Sequence, residues 1–510
     1  MLWPRWLFLR ALGLIFASAF FSLLFQMRGL VGPEGIEPAG SYLRAVAGAS
    51  PDLPALPSPS SLPALRHLWE APTVLWAGTG PAALTALVAA GLAAAVLLTL
   101  NVWPRLAAAL ATLAFLSCVA TLQDFSAYQS DGMLLQAGVA GVLLAPRGVF
   151  PGLGVKSPPP RAGIWLLRWE WFAIYFESGL VKLLSGDPQW RTLTAMDHYY
   201  ENNPLPTWIG WYVQQLPHLF HAATTLLTLV MELVAPWAVF LWGRARPVRV
   251  AIAIIVTVFQ LGIIGTANYA FLNYLVLALG VFLVGDRDLE RWRALRRATP
   301  SGGVASLPPS ASAWRVRPVD AVAALTFVGT VYVGAVSFLP TAVPGPLLAP
   351  ARWAAPFRVA NAYGLFAVMT RARYEIEFQG TRDDTTWIAY PFRYKPQDPA
   401  TPPGIYAPYQ PRFDWNLWFA SLAPWTDNPW VVAAQARLLT GSPSVLELFA
   451  GDPFAAAPPR AVRTVVWRYW FTDAATRRRT GRWWNRTFLG LYAGTVRRDS
   501  AGTLRFEPRR

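Results

Sequence analysis

Lys182 lies in an apolar segment, Trp165 to Leu184, that also carries Arg168, Glu170 and Glu177. The length and composition of this segment predict a membrane helix. Ionisable groups at membrane depth are costly and usually mark a functional polar interior. A lysine that is removed from water can lose its proton near neutral pH and act as a base. Lys182 is therefore the candidate base, and Glu177 is one candidate helper.

A second polar stripe follows in the next apolar segment, where His221, Thr225, Thr228 and Glu232 recur at helical spacing. Glu232 has apolar residues on both sides, so it needs a partner or a proton. His221 and Lys182 flank the same external loop, which makes His221 the other candidate helper. A structural interpretation stays open, in which Lys182 extends to the outer interface of the membrane.

The composition indicates a membrane protein. The chain has 510 residues, of which 54% are hydrophobic and 14% charged, whereas soluble domains carry about 25% charged residues. Its net charge of +16 is better explained by loop arginines that orient membrane spans than by nucleic-acid binding, which we exclude. With four histidines and one cysteine, Cys118, we expect no disulfide, metal site or cofactor.

The apolar runs predict an α-helical multi-pass bundle of about nine spans. Arginines concentrate in alternate loops, which places the N-terminus in the cytoplasm and the C-terminal part outside it. We expect a bundle over 1–285 with external loops at 27–80 and 186–218, an Arg-rich cytoplasmic linker over 286–318, a last span over 319–339 and a soluble extracytoplasmic domain over 340–510. The predicted spans are 7–26, 81–100, 104–122, 132–146, 164–184, 219–241, 248–266, 269–285 and 319–339.

The soluble domain is expected to be mainly β. YEIEF alternates as a strand does, GTRDDTTW provides a turn, IAYPFRY predicts a second strand, and AVRTVVWRYWFTD a further one. The GTRDDTTW hairpin resembles one found in discoidin-type β-sandwiches, and this resemblance implies a sandwich-like arrangement.

Aromatic and charged residues outside the spans are candidates for contact with a client protein, because Trp, Tyr and Arg are favoured at interfaces. The alternative is that their rings form the core of the domain itself. The candidates are Trp190, Asp197, Tyr200 and Glu201 in the loop, and Arg412, Asp414, Trp415 and Trp418 in the tail.

Several long stretches resemble the lipase maturation factor family, which comprises multi-pass membrane proteins that help secreted lipases reach their active form. They include YFESGLVKLLSGDPQWRTLTAMDHYYENNPLP, TANYAFLNYL, APYQPRFDWNLWFASL and GSPSVLELFAGDPF. Histidines of the family are replaced here by Tyr199, by Tyr409, and by Gln214 or Gln215, which puts any imidazole role in doubt. The YFxxGxxKL pattern is also similar to the vitamin K-dependent γ-carboxylases, a likeness that would place Lys182 at their base position.

The resemblance implies a non-enzymatic, membrane-anchored factor that assists the folding or assembly of exported client proteins, namely lipases. The alternative is a carboxylase-like enzyme that uses Lys182 as a base on a quinol-like or lipid substrate. A transporter is a third reading, which lacks inverted repeats for support. The composition suggests a bacterial cytoplasmic membrane. In a eukaryote the corresponding location would be the endoplasmic reticulum membrane.

Overall fold

A computed structural model describes residues 1–48, 62–241, 243–290, 317–338, 343–499 and 502–508. Most of the predicted 286–318 linker, and part of the predicted external loop at 27–80, lie outside the described residues.

The N-terminal part of the chain is helical. Its α-helices are α1 (Leu2–Val31), α2 (Ala39–Val46), α3 (Leu62–Glu70), α4 (Pro81–Thr99), α5 (Pro104–Val119), α6 (Gln129–Leu144), α7 (Arg161–Leu184), α8 (Pro188–Arg191), α9 (Met196–Asn202), α10 (Trp208–Gln214), α11 (His218–Leu233), α12 (Arg246–Thr266), α13 (Leu272–Gly280) and α14 (Pro318–Phe338). Short 3₁₀ helices at Ala235–Phe240 and Val281–Leu283 extend α11 and α13.

Among the residues that the structure describes, five helices are long and apolar enough to cross a membrane. They are Leu2–Val31, Pro81–Thr99, His218–Phe240, Gly243–Thr266 and Pro318–Phe338. The other four predicted spans also coincide with helices, but α5, α6 and α13 are shorter than about 20 residues. The remaining helix, α7, is long enough and carries the charges noted above. A helical membrane region is thus confirmed, whereas the count of nine spans is not.

The helix α7 lies inside the bundle, where it packs against α6, α11, α13 and α14. Its charged residues Arg168, Glu170 and Lys182 are buried. Arg168 donates two hydrogen bonds to the carbonyl oxygen of Phe282, at 3.0 and 3.1 Å. A guanidinium that ends on a helix-terminal carbonyl satisfies both partners. Arg168 is therefore held by a backbone group within the bundle.

One end of the bundle is fastened by basic groups. The N-terminal ammonium of Met1 pairs with Asp286. Arg5 is fully buried and donates to the carbonyl oxygens of Leu153 and Ser157, both at 2.6 Å. Arg246 pairs with Asp288. These contacts tie α1, α12 and the segment after α13 together at this end.

The C-terminal part contains one five-stranded antiparallel sheet in the order β2-β1-β3-β4-β5. The strands are β1 (Arg373–Thr381), β2 (Ile388–Ala389), β3 (Ala461–Phe471), β4 (Trp484–Arg498) and β5 (Leu504–Glu507). The α-helices of this part are α15 (Gly345–Ala354), α16 (Arg412–Ala420), α17 (Trp430–Leu439), α18 (Pro443–Leu446) and α19 (Ala474–Thr480).

The predicted β-sandwich is wrong in the part of the chain that the structure describes. The three predicted strands coincide with β1, β2 and β3, whereas β4 and β5 were not predicted. Helices α16 and α17 cover the sheet instead of a second sheet: Phe413 of α16 stacks on Phe378 of β1, and Gln435 of α17 donates to Thr464 of β3. An alternating strand has the same pattern whether a sheet or a helix covers it, so the pattern could not distinguish the two.

The C-terminal part packs against the end of the bundle opposite Met1. At Gly29, near the end of α1, an added Cβ would lie 2.3 Å from the backbone oxygen of Ser444 in α18. That distance is too short for any side chain, so glycine permits the close approach of these helices. Gln26 of α1 also donates a hydrogen bond of 2.9 Å to the carbonyl oxygen of Gln410.

Candidate functional site

A cavity of about 580 Å³ lies between α7, α11, α12 and α13. Its walls are mostly apolar, with Ile174, Leu227 and Ile255 among the lining residues. The polar side chains that line it come from the two stripes seen in the sequence, from the loop between them, and from α12, α13 and the segment that joins these two helices. Concave apolar sites with a few convergent polar groups are the usual form of small-molecule sites.

Lys182 and Glu232 form an ion pair in the wall of this cavity. The Nζ atom of Lys182 lies 2.9 Å from each carboxylate oxygen of Glu232. It also donates to the carbonyl oxygen of Leu365 at 2.6 Å. The lysine side chain is 1% exposed and the glutamate 14%, so the two charges compensate each other away from water. Breaking such a pair leaves one charge buried and uncompensated.

The two predicted helpers of Lys182 lie elsewhere. Glu177 accepts a hydrogen bond of 2.7 Å from the backbone N–H of Tyr363, on another side of α7. His221 is buried against Tyr200, with a distance of 5.6 Å between the ring centroids. Neither residue lines the cavity. The charged side chain that contacts Lys182 is Glu232, for which the sequence predicts only that it needs a partner or a proton.

A hydrogen-bonded chain of neutral groups extends the polar side of the cavity. Asn273 of α13 donates a hydrogen bond of 2.6 Å to Oε1 of Gln260. Nε2 of Gln260 in turn donates a hydrogen bond of 2.5 Å to the hydroxyl of Tyr175. These residues line the cavity and are buried. The chain joins α7, α12 and α13, and it satisfies polar groups that would otherwise be costly to bury.

The predicted loop candidates are partly or fully buried. Trp190 lies under Lys182, with Nζ 5.0 Å from the ring centroid. Tyr200 lines the cavity, and Asp197 pairs with His218 at 3.0 Å. Glu201 accepts a hydrogen bond of 2.7 Å from the backbone N–H of Phe471 at the end of β3. These contacts hold the loop against both parts of the chain, and client contact at these residues stays a prediction.

The tail candidates lie on α16 and are also buried. Arg412 pairs with Asp131 of α6, and Trp415 stacks on Tyr128 at 5.5 Å. Asp414 accepts hydrogen bonds from the backbone N–H groups of Tyr394 and Lys395, each 3.2 Å long. Burial raises the pKa of Asp414 to about 6, even though these hydrogen bonds favour the charged form.

Trp415 and Trp418 line a second cavity, of about 350 Å³, beneath the C-terminal part. Tyr199, Tyr269 and Phe366 line both cavities. The ring centroids of Tyr269 and Phe366 are 5.2 Å apart, and those of Tyr199 and Phe366 are 6.0 Å apart. The three rings therefore form a partition between the larger cavity and the smaller one.

Two residues that fasten the junction were not among the predicted site residues. Asp187 accepts a hydrogen bond of 2.7 Å from the backbone N–H of Met369. Asn268 accepts a hydrogen bond of 2.6 Å from the backbone N–H of Tyr406, and it donates one of 2.9 Å to the carbonyl oxygen of Gly404. The Asp-Pro sequence at 187 signals a helix start, but the sequence carries no signal for the long-range partner of either residue.

The fold defines a multi-pass helical membrane protein with a C-terminal antiparallel sheet domain. A family model described as the lipase maturation factor transmembrane domain matches residues 3–291, and one described as the lipase maturation factor C-terminal domain matches residues 359–494. The chain belongs to the lipase maturation factor family.

Individual relatives agree with the family match. The chain is 30% identical to lipase maturation factor 2 of Homo sapiens over 97% of its own length and 82% of that protein. It is also 30% identical to lipase maturation factor 1 of Bos taurus, over 96% of this chain and 88% of the relative. No solved structure matches the chain.

Proposed function

We propose that this protein is a membrane-anchored maturation factor that assists the folding or assembly of exported proteins, and that its clients are lipases. The observation that carries the proposal is the family match over both parts of the chain. The named relatives are lipase maturation factors, and this chain has both the helical region and the sheet domain of the family. The proposed role needs no chemical step by the protein itself.

The proposal places the C-terminal domain on the export side of the membrane. Met1 and the buried Arg5 lie at the other end of the bundle, which also holds most of the described arginines of the helical part. Basic residues concentrate on the cytoplasmic side of membrane proteins. The membrane would be the cytoplasmic membrane of a bacterium, or the endoplasmic reticulum membrane of a eukaryote.

The sheet offers an exposed apolar surface for a client. Arg468 pairs in register with Tyr374 on one neighbouring strand and with Thr487 on the other. Trp470 follows Arg468 by two residues and Leu489 follows Thr487 by two residues, so in these antiparallel strands they lie on opposite sides of the Arg468–Thr487 pair, with 38% and 47% of their surfaces exposed. Exposed apolar surface on a soluble domain indicates an interaction site. We therefore place client contact at these exposed residues of β3 and β4.

The test is cross-linking of the full-length protein in intact membranes, followed by identification of the proteins attached to its C-terminal domain. Wild type should yield exported lipases, and the Trp470→Ser and Leu489→Ser variants should yield less. The control is Trp103→Asn, because Trp103 is at least as exposed but precedes α5 at the Met1 end. Recovery of no exported protein, or equal recovery from all variants, would contradict the proposal.

A carboxylase-like activity is the second candidate, and one observation favours it: Lys182 lines an apolar cavity large enough for a small molecule. In that account Lys182 takes a proton from a quinol-like or lipid substrate. Lys182→Arg keeps the positive charge but removes a group that can readily lose its proton. Normal lipase maturation in this variant would remove the enzymatic candidate, whereas loss of maturation with intact folding would favour it.

A further inference from the structure

The larger cavity reaches the surface of the protein sideways, between two helices that can cross a membrane. Leu227 of α11, and Ile254, Ile255 and Val258 of α12, line the cavity and are also exposed. Helix α11 packs on α7 and α9, whereas α12 packs on α10, on α13 and on the 3₁₀ segment Ala235–Phe240 that follows α11. A gap remains between α11 itself and α12. Both helices are long and apolar enough to span the hydrocarbon layer, so the opening faces lipid.

The inner end of the same cavity presents unused hydrogen-bonding capacity. Trp190 is 1% exposed and lines the cavity, and its indole N–H has no acceptor within the described residues. The hydroxyl-bearing rings of Tyr199 and Tyr269 line the same end, next to the Phe366 partition. A buried N–H without an acceptor is costly. A ligand that brings an oxygen acceptor to this end would remove that cost.

The electrostatics of the lining favour an uncharged ligand. Lys182 and Glu232 are the two charged residues among the described residues that line the cavity. They neutralise each other at 2.9 Å, so the lining carries no net charge. An anionic headgroup would meet the Glu232 carboxylate, and a cationic one would meet the Lys182 ammonium. Either would cost desolvation energy that no free counter-charge offsets.

We propose that this cavity binds one uncharged amphiphilic molecule drawn from the surrounding membrane. Its hydrocarbon part lies between α11 and α12, and its polar end bears a carbonyl oxygen that accepts a hydrogen bond from Trp190. A cavity of about 580 Å³ is within the usual range for small-ligand sites. Diacylglycerol-type esters and quinones share this chemistry. The proposal is independent of the maturation function, because it concerns binding and requires no client.

The first experiment blocks the opening. Full-length protein is purified in mild detergent, and the molecules that co-purify with it are extracted and quantified by mass spectrometry. Ile255→Trp fills the mouth and should lose the bound amphiphile. Leu261→Trp is the matched control, since Leu261 lies on the same helix, is similarly exposed and does not line the cavity. Equal recovery from both variants, or no stoichiometric amphiphile in wild type, would overturn the proposal.

The second experiment identifies the headgroup class. Wild type in vesicles is exposed in separate arms to a photoactivatable diacylglycerol, a photoactivatable quinone and a photoactivatable phosphatidylglycerol. One of the two uncharged probes should label α11 or α12 at the cavity, and the label distinguishes the ester from the quinone. Trp190→Phe, which keeps the ring under Lys182, should weaken that labelling by about 3- to 10-fold, as expected for one hydrogen bond. Labelling by the anionic probe alone, or labelling unchanged in Trp190→Phe, would contradict the proposal.

Discussion

Arg412 and Asp131 form a fully buried ion pair with two parallel hydrogen bonds, each 2.8 Å long. Arg412 begins α16 in the C-terminal domain, and Asp131 lies in the first turn of α6 in the bundle. Arg412 also donates a hydrogen bond of 2.8 Å to the carbonyl oxygen of Phe125. The pair thus fastens the sheet domain directly to the helical part.

Removing one partner of this pair should destabilise the whole protein. Arg412→Met leaves the Asp131 carboxylate buried without a counter-charge, and we expect a loss of about 3–5 kcal/mol. The measurement is thermal or denaturant unfolding in detergent. Arg66→Ala is the control, because Arg66 pairs with Glu70 while 80% exposed, and such pairs contribute about 0–1 kcal/mol. Equal losses in both variants would contradict the assignment.

The Lys182–Glu232 pair can be tested by a double-mutant cycle. Lys182→Met alone should cost about 3 kcal/mol, because Glu232 then lacks its partner. Adding Glu232→Leu should restore much of that loss, since both charges are then gone. The coupling energy from unfolding measurements reports the contact directly. Additive effects of the two substitutions would show that these residues do not interact.

Asp414 should make stability depend on pH. Burial raises its folded-state pKa to about 6, from an ordinary value of 3.8. Between these values the folded state binds the proton more tightly than the unfolded state, so stability falls as pH rises from about 4 to 6, by about 3 kcal/mol, and the loss persists above pH 6. The measurement is the unfolding free energy across this range, and Asp414→Asn should reduce the decline by this amount.

Asp383 provides the control for that pH effect. The backbone N–H groups of Thr386 and Thr385 hold the pKa of this carboxyl well below its usual range. Its contribution is therefore present above pH 4 and lost only at lower pH. Asp383→Asn should keep the wild-type decline between pH 4 and 6. An equally reduced decline in this variant would mean that Asp414 is not the responsible group.

The sidedness of the domain can be tested by proteolysis. In sealed vesicles whose outer face corresponds to the export side, an added protease should remove residues of the C-terminal domain, because both the domain and the protease lie on that side. A cytoplasmic marker protein should stay intact. A domain that is cut only after detergent opens the vesicles, while the denatured protein is cut freely, would reverse the proposed orientation.

The helices of the membrane region and the strands β1 to β3 were predictable because local patterns specify them. Runs of apolar residues identified the membrane helices, and the alternation in β1 and β3 identified the strands. The ends of the shorter helices α5, α6 and α13 were harder to predict from the sequence. A helix that protein surrounds can be shorter than the membrane is thick, so the length of a membrane span does not fix where such a helix ends.

The pairing of residues across the fold was less predictable. Lys182 and Glu232 were each recognised as charges that need a partner, but they are 50 residues apart, and the rotation of α7 against α11 decides whether they meet. Glu177 is closer to Lys182 in sequence, yet it faces Tyr363. Helical spacing fixes which residues share a face and leaves open which helix that face contacts.

The most direct measurement of the central proposal is the specific activity of exported lipases in cells that lack this protein. Secreted lipase should still be synthesised, and its activity per molecule should fall to background and return when the wild-type gene is restored. The Trp470→Ser variant should restore less activity than Trp103→Asn. Unchanged specific activity of every exported lipase in the deletion strain would contradict the account.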